Sequence, residues 1–218
     1  MKVVDREVLA RRLKVYVLTD HRLSRGRSDR EVVEEAIRGG ATAIQLRAKE
    51  ISTREMWETG LEIRKVCRAA GVLFIVNDRL DVALAVDADG LHVGQDDLPA
   101  SEARRLLGPD KVLGVSARSV EEALKAAEDG ADYLGVGPVY PTGTKADAGA
   151  ATGVEVVRDI CRLVDLPVVG IGGIGPGNAP EVIAAGADGV SVISAVVAAE
   201  DIAEAAWALV RAVEGATT

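Results

Sequence analysis

Three groups of polar residues in this 218-residue chain have the types and spacing to handle phosphate chemistry. In "QLRAKE", Gln45, Arg47 and Lys49 alternate, so an extended backbone would send all three to one side. Two cations aimed together call for an anionic ligand. "VNDR" and "GQDD" contribute Asn77, Asp78, Asp96 and Asp97. Two carboxylates brought together repel unless they share a proton or a cation. Oxygen-only ligation with room left for water and phosphate oxygens is the habit of Mg2+. Asp78 and one member of the Asp96–Asp97 pair are therefore candidate Mg2+ ligands.

The second group lies in "GPVYPTGTKADAGAATG", residues 137–153. A compact strand-to-helix connection needs only about 2–6 residues, yet this one is far longer and carries Thr142, Thr144 and Lys145. The third group is "GIGGIG". Gly170, Gly172 and Gly175 match a dinucleotide pattern, but the next strand-like run, "GVSVI", ends without the acidic residue that would hold a ribose. Bare backbone N–H groups approaching an anion are the better reading, with Gly173 and the backbone around Ile193 and Ser194 as donors. Arg47, Lys49 and Lys145 with Mg2+, less two aspartates, leave a formal plus three. A diphosphate ester carries roughly three negative charges. The expected chemistry is a transferase joining a diphosphate-activated fragment to a second, phosphorylated one.

The elements that must position these groups repeat along the chain. Apolar or β-branched runs occur at 15–18, 43–46, 73–76, 90–93, 112–115, 133–136, 167–171 and 189–193, and helix-period segments separate them. That alternation predicts a parallel sheet with helical crossovers. Ser28–Glu31, Ser52–Glu55, Ser119–Glu122, Thr152–Glu155 and Asn178–Glu181 have capping-box spacing. "GGATAI", "DGADYL" and "AGADGV" repeat a helix-closing Gly before the next strand. Eight units and a terminal helix near 201–214 fit an α/β fold, a single-domain (β/α)8 TIM barrel with an extra N-terminal helix. The expected bounds are 1–13 for that helix, 14–214 for the barrel and 215–218 for a tail. Such a barrel puts its chemistry at the C-terminal ends of its strands, and there the polar groups above fall, together with Ser116 in "GVSA".

Composition narrows the function. An apolar fraction of 48% suits a globular chain, and a formal charge of −8 with six aromatic residues argues against nucleic acid. No apolar run is long enough to span a membrane, and the charged N-terminus lacks a secretory pattern, so the expected location is cytoplasmic. Cys67 and Cys161, far apart and without CxxC spacing, read as small buried residues. His92 reads as a packed, hydrogen-bonded strand residue, and Trp57 and Trp207 as barrel-packing groups. No Ser/His/Asp or Cys/His arrangement points to a nucleophilic enzyme.

"QLRAK", "ND" followed by "ALAVDADGLHVGQDD", "GVSA", "GPVYPTGTK", "VGIGGI" and "GADGVSVISA" together resemble the thiamine-phosphate synthase family. They occur in that family's order and cover the chain from strand 1 to strand 8, with no departure at any motif position. The resemblance implies condensation of 4-amino-2-methyl-5-hydroxymethylpyrimidine diphosphate with 4-methyl-5-(2-hydroxyethyl)thiazole phosphate, or its carboxylated form. The products are thiamine phosphate and pyrophosphate, through a dissociative pyrimidine-cation mechanism. By motif position, Arg47, Lys49, Asn77 and Lys145 would hold the diphosphate, with Gln45, and with less support Tyr16, at the pyrimidine. Asp78 and Asp97 would hold Mg2+ and Ser116 the departing pyrophosphate. Thr142, Thr144, Gly173, Ile193 and Ser194 would hold the thiazole phosphate. The implied catalytic residues are Lys145, Ser116 and Arg47. The partners are small phosphorylated molecules, with room for a homo-oligomer. A thiazole tautomerase of the same fold, which needs no full diphosphate constellation, and an idle phosphate-binding barrel are the alternatives.

Overall fold

The computed structural model describes residues 5–144 and 149–216. Eight parallel strands close into one barrel in sequence order: β1 (Val15–Leu18), β2 (Ala43–Leu46), β3 (Leu73–Asn77), β4 (Gly90–Val93), β5 (Val112–Ala117), β6 (Tyr133–Val136), β7 (Val168–Ile171) and β8 (Gly189–Val192). A helix α1 (Arg6–Arg12) precedes β1. The crossovers are α2 (Asp29–Arg38), α3 (Thr53–Ala70), α4 (Leu80–Ala85), α5 (Ala100–Leu107), α6 (Val120–Glu128), α7 (Gly153–Leu163) and α8 (Ala179–Ala184). A short α9 (Ser194–Val197) and α10 (Ile202–Gly215) follow β8. The sheet closes because β8 pairs with β1, Val15 opposite Val190.

Residues on both faces of the strands are buried, which is why "VYVL", "LFIV" and "VVGI" are nearly all apolar. The Ala-Asp and Ala-Thr residues ahead of the strands have a specific duty. Thr42 Oγ1 accepts the Val15 N–H, and Asp89, Asp132 and Asp188 accept those of Phe74, Leu113 and Val168. The residue before each even-numbered strand thus ties the start of the odd-numbered strand before it. Arginines neutralise the three carboxylates: Arg64 and Arg12 reach Asp89, Arg104 reaches Asp132 and Arg6 reaches Asp188. Two of these arginines belong to α1, whose Leu9 is buried, as is Leu13 just beyond it.

Capping follows the sequence in part. Ser28 and Ser52 form complete capping boxes. Ser119 accepts from Glu122 N, but the Glu122 carboxylate accepts from Arg118 N instead of closing the box. Thr152 and Asn178 do not cap. Thr152 Oγ1 donates to Pro138 O, and Asn178 bridges Gly175 N and Gly173 O, because both side chains are recruited to hold loops of the mouth. Trp57 and Trp207 are 38% and 45% exposed, so they do not pack the barrel; Arg211 stacks on the outer ring of Trp207, 4.2 Å from its centroid. Cys67 is buried, with its thiol pushed up to about 12 by desolvation, while Cys161 is only half-buried. No described helix is long and apolar enough to cross a membrane.

Candidate active site

The C-terminal ends of the strands surround a cavity of about 220 Å3. On one side, Arg47, Lys49, Asn77, Asp78, Asp97 and Ser116 line it. On the other, Thr142, Thr144, Gly173, Ile193 and Ser194 line it. Of the remaining candidates, Gln45 and Tyr16 lie below the cavity, 2% and 1% exposed. Lys145 falls outside the described residues.

Gln45 lies within β2 in the barrel interior, and Arg47, just past the strand's end at Leu46, lines the cavity above it. Gln45 Nε2 donates to the Tyr16 hydroxyl at 2.6 Å inside the barrel. Arg47 is clamped by the end of β1: its N–H donates to Thr19 Oγ1, and its guanidinium Nη1 donates to Asp20 Oδ2 at 2.7 Å. Both partners of this ion pair are almost fully buried. Asp20 also accepts the Arg22 N–H, starting the short 3-10 turn His21–Leu23. Among the described residues, two polar atoms here find no hydrogen-bond partner, Arg47 Nε and Gln45 Oε1. A buried donor or acceptor left unpaired costs about 1–3 kcal/mol.

Thr19 and Asp20 were not among the sequence candidates. The signal is in the sequence, since "VYVLTD" puts two polar residues at the C-terminal end of β1, the end at which the other strands carry theirs. Arg118 and His92 were missed as cavity-lining groups too. Arg118 directly follows β5, which ends at Ala117, and precedes the Ser119 cap of α6, so in sequence it reads as a helix-start residue.

The acidic pair lies on the β3 and β4 ends. Asp78 takes a left-handed backbone, φ 61°, unusual for a residue with a Cβ, and its N–H donates to His92 O. Asp97 accepts the Gly94 N–H at 2.7 Å with one carboxylate oxygen. Asp96 lines the same cavity. Among the described residues no cluster of three or more His, Cys, Asp or Glu forms a metal cage. Mg2+ is satisfied by one or two carboxylates plus water and substrate phosphate oxygens, and Asp78 and Asp97 are hard donors of that kind. Among the described residues, the lining cations Arg47, Lys49 and Arg118 stand beside Asp78, Asp96 and Asp97, and Asp20 stands behind Arg47.

The opposite wall is built from backbone. Gly172 and Gly173 follow β7 with φ of 98° and 65°. A Cβ on Gly173 would sit 2.8 Å from Pro141 O and Tyr140 Cβ, so the turn lies flat against the loop after β6. That loop is pinned at its flanks. Val139 N and Tyr140 N donate to Ile171 O and Gly172 O, and Thr152 N and Gly153 N donate to Pro138 O and Val139 O. The Tyr140 hydroxyl donates to Glu181. Thr144 Oγ1 lies 3.4 Å from Ser194 Oγ across the mouth.

A family model for thiamine monophosphate synthase matches residues 15–196. The chain belongs to that family. Among curated relatives, the thiamine-phosphate synthase of Moorella thermoacetica is 60% identical over 192 residues, covering 88% of this chain and 91% of that one. The thiamine-phosphate synthase of Chloroflexus aurantiacus is also 60% identical, over 88% of this chain and 89% of its own. The solved thiamine phosphate pyrophosphorylase from Pyrococcus furiosus superposes with a TM-score of 0.90 at 48% identity. The match covers 96% of this chain and all of that one.

Proposed function

We propose that the chain is a thiamine-phosphate synthase, a transferase that releases pyrophosphate. It would join the aminopyrimidine diphosphate to the thiazole phosphate, plain or carboxylated. Beside the family match, the observation that carries this reading is the division of one cavity. Its β2–β5 side offers charged side chains for a diphosphate, and its β7–β8 side offers a glycine turn for a single phosphate.

On this reading Arg47, Lys49 and Asn77 hold the diphosphate, and Lys145 reaches it from the β6 loop. Asp78 and Asp97 would hold Mg2+, which supplies positive charge as the leaving group gains negative charge. Ser116 hydrogen-bonds the departing pyrophosphate. Gln45 Oε1, a buried acceptor without a partner among the described residues, suits the exocyclic amine of the pyrimidine. Thr142, Thr144, Gly173, Ile193 and Ser194 hold the thiazole phosphate, setting the ring nitrogen to capture the pyrimidine methylene cation as pyrophosphate leaves. The aminopyrimidine spreads that positive charge through its own ring, so no protein nucleophile is needed. The work left to the protein is to stabilise leaving-group charge, align the second substrate and keep water from the cation.

The test mixes purified protein, Mg2+ and the two substrates, and follows thiamine phosphate after oxidation to fluorescent thiochrome. Mg2+-dependent product is the expected result. No product, with the thiazole phosphate still bound, would move the assignment to a tautomerase or a binding barrel.

A further inference from the structure

A single file of hydrogen bonds crosses the barrel interior, from Gln45 beneath the cavity to His92 and Ser116 on its wall. Gln45 Nε2 donates to the Tyr16 hydroxyl at 2.6 Å. The Tyr16 and Tyr133 hydroxyls are 3.0 Å apart. Tyr133 Oη lies 2.9 Å from His92 Nδ1, and His92 Nε2 lies 3.0 Å from Ser116 Oγ. The file starts on β2, passes through β1, β6 and β4, and ends on β5 at a residue that lines the cavity. The barrel is shaped to admit it. Gly114 lies opposite Tyr133 in the β5–β6 register, and a Cβ there would fall 2.1 Å from the phenol ring. A Cβ on Gly135 would press on His92 Cε1 at 3.0 Å.

The direction of such a file follows from its first donor. An amide N–H can only donate, and each phenol has one proton. With Tyr16 Oη accepting from Gln45, its proton goes to Tyr133 Oη, whose own proton goes to His92 Nδ1. His92 is then the Nε2–H tautomer and donates to Ser116 Oγ. Ser116 Oγ then accepts one bond from behind, which leaves its own proton free to point into the cavity. Burial pushes both phenols up, so both keep their protons.

We infer that Tyr16, Tyr133 and His92 are positioning residues whose hydrogen-bond file turns the Ser116 hydroxyl into a donor toward anionic oxygens in the cavity. This rests on the reading of Ser116 as a ligand of the departing pyrophosphate. It adds what that reading lacks, a reason for the hydroxyl to face the anion with its proton. A reversed Gln45 amide would invert every step, making His92 Nε2 an acceptor from Ser116 and the site a base instead of a donor.

The test begins with nitrogen-15 spectra of the full chain labelled at histidine and recorded at about pH 8, above the ordinary histidine range. The chain has two histidines, His21 and His92, so a His21→Gln variant assigns the signals. The expected result is a protonated Nε2 and a bare Nδ1 at His92. An Nδ1–H tautomer, or protons on both nitrogens, overturns the inference. This measurement needs neither turnover nor a mutated file, so a chain that failed the thiochrome assay would still answer it. A second arm uses kinetics. Tyr133→Phe alone should lower turnover on the order of tenfold, the worth of one charge-assisted hydrogen bond, and should cost nothing further in a Ser116→Ala background. The same loss in both backgrounds would assign Tyr133 to packing alone and overturn the inference.

Discussion

On the proposed function, the two sides of the mouth would solve one problem, holding phosphate, with opposite materials. The β2–β5 side uses polar side chains held by hydrogen bonds with neighbours: Arg47 with Asp20, Ser116 with His92, Asp97 with Gly94. The β7–β8 side uses backbone turns and small hydroxyls, with Asn178 and the β6 loop folded under and over the glycines. A group that must gain charge as a bond breaks is met by side chains that can carry charge. A phosphate that is only held can be met by bare amides. The first side should therefore fail when a charge is removed, and the second when an atom is added.

The largest expected effect tests the charged side through its hidden partner. Asp20→Ala would leave Arg47 buried without its carboxylate, and breaking such a pair costs about 3–5 kcal/mol. Thermal unfolding should show that loss, and added pyrophosphate should restore more of it than it adds to the unmutated protein. Equal shifts in both would remove Arg47 from the anion site. Next comes Lys145→Ala, with turnover expected to drop on the order of 10²–10³-fold if the β6 loop delivers a cation to the leaving group. Near-normal turnover would reduce that loop to a spacer. Asp78→Ala should raise the Mg2+ concentration needed for half-maximal rate at least about tenfold, and an unchanged titration would take it out of the metal site.

The backbone side is tested by addition. Gly173→Ala places a methyl 2.8 Å from Pro141 O at a left-handed φ. The KM for the thiazole phosphate should rise on the order of tenfold, about 1.4 kcal/mol, with the KM for the pyrimidine diphosphate unchanged. Equal rises for both substrates would mean that the two walls are not separate subsites. The smallest effect lies outside both. Trp207→Ser should change stability by no more than about 1 kcal/mol, the worth of an exposed cation–π contact, and should leave turnover alone.

By itself the sequence determined the architecture and the composition of the mouth. Strand-length apolar runs at regular spacing call for a parallel sheet with helical crossovers, and eight regular units favour closing it over an open doubly wound sheet. Polar residues collected at one end of those runs meet when the barrel closes. Ser28 and Ser52 cap as their spacing predicts, because a capping box is satisfied within four residues. What lies beyond a few residues was decided only by tertiary structure. Asn178 has the spacing of a cap, yet it bonds to the glycine turn that closure brings beside it. The alternation of Gln45 and Arg47 suggests one shared direction, but it could not give their depth: Gln45 meets Tyr16 in the interior, and Arg47 meets Asp20 at the mouth. Asp20 and Tyr133 show the same limit, since neither neighbours in sequence the Arg47 or His92 it serves. A single side chain's partner is set by which strands the barrel makes adjacent, and that adjacency belongs to the closed fold, not to any local stretch of chain.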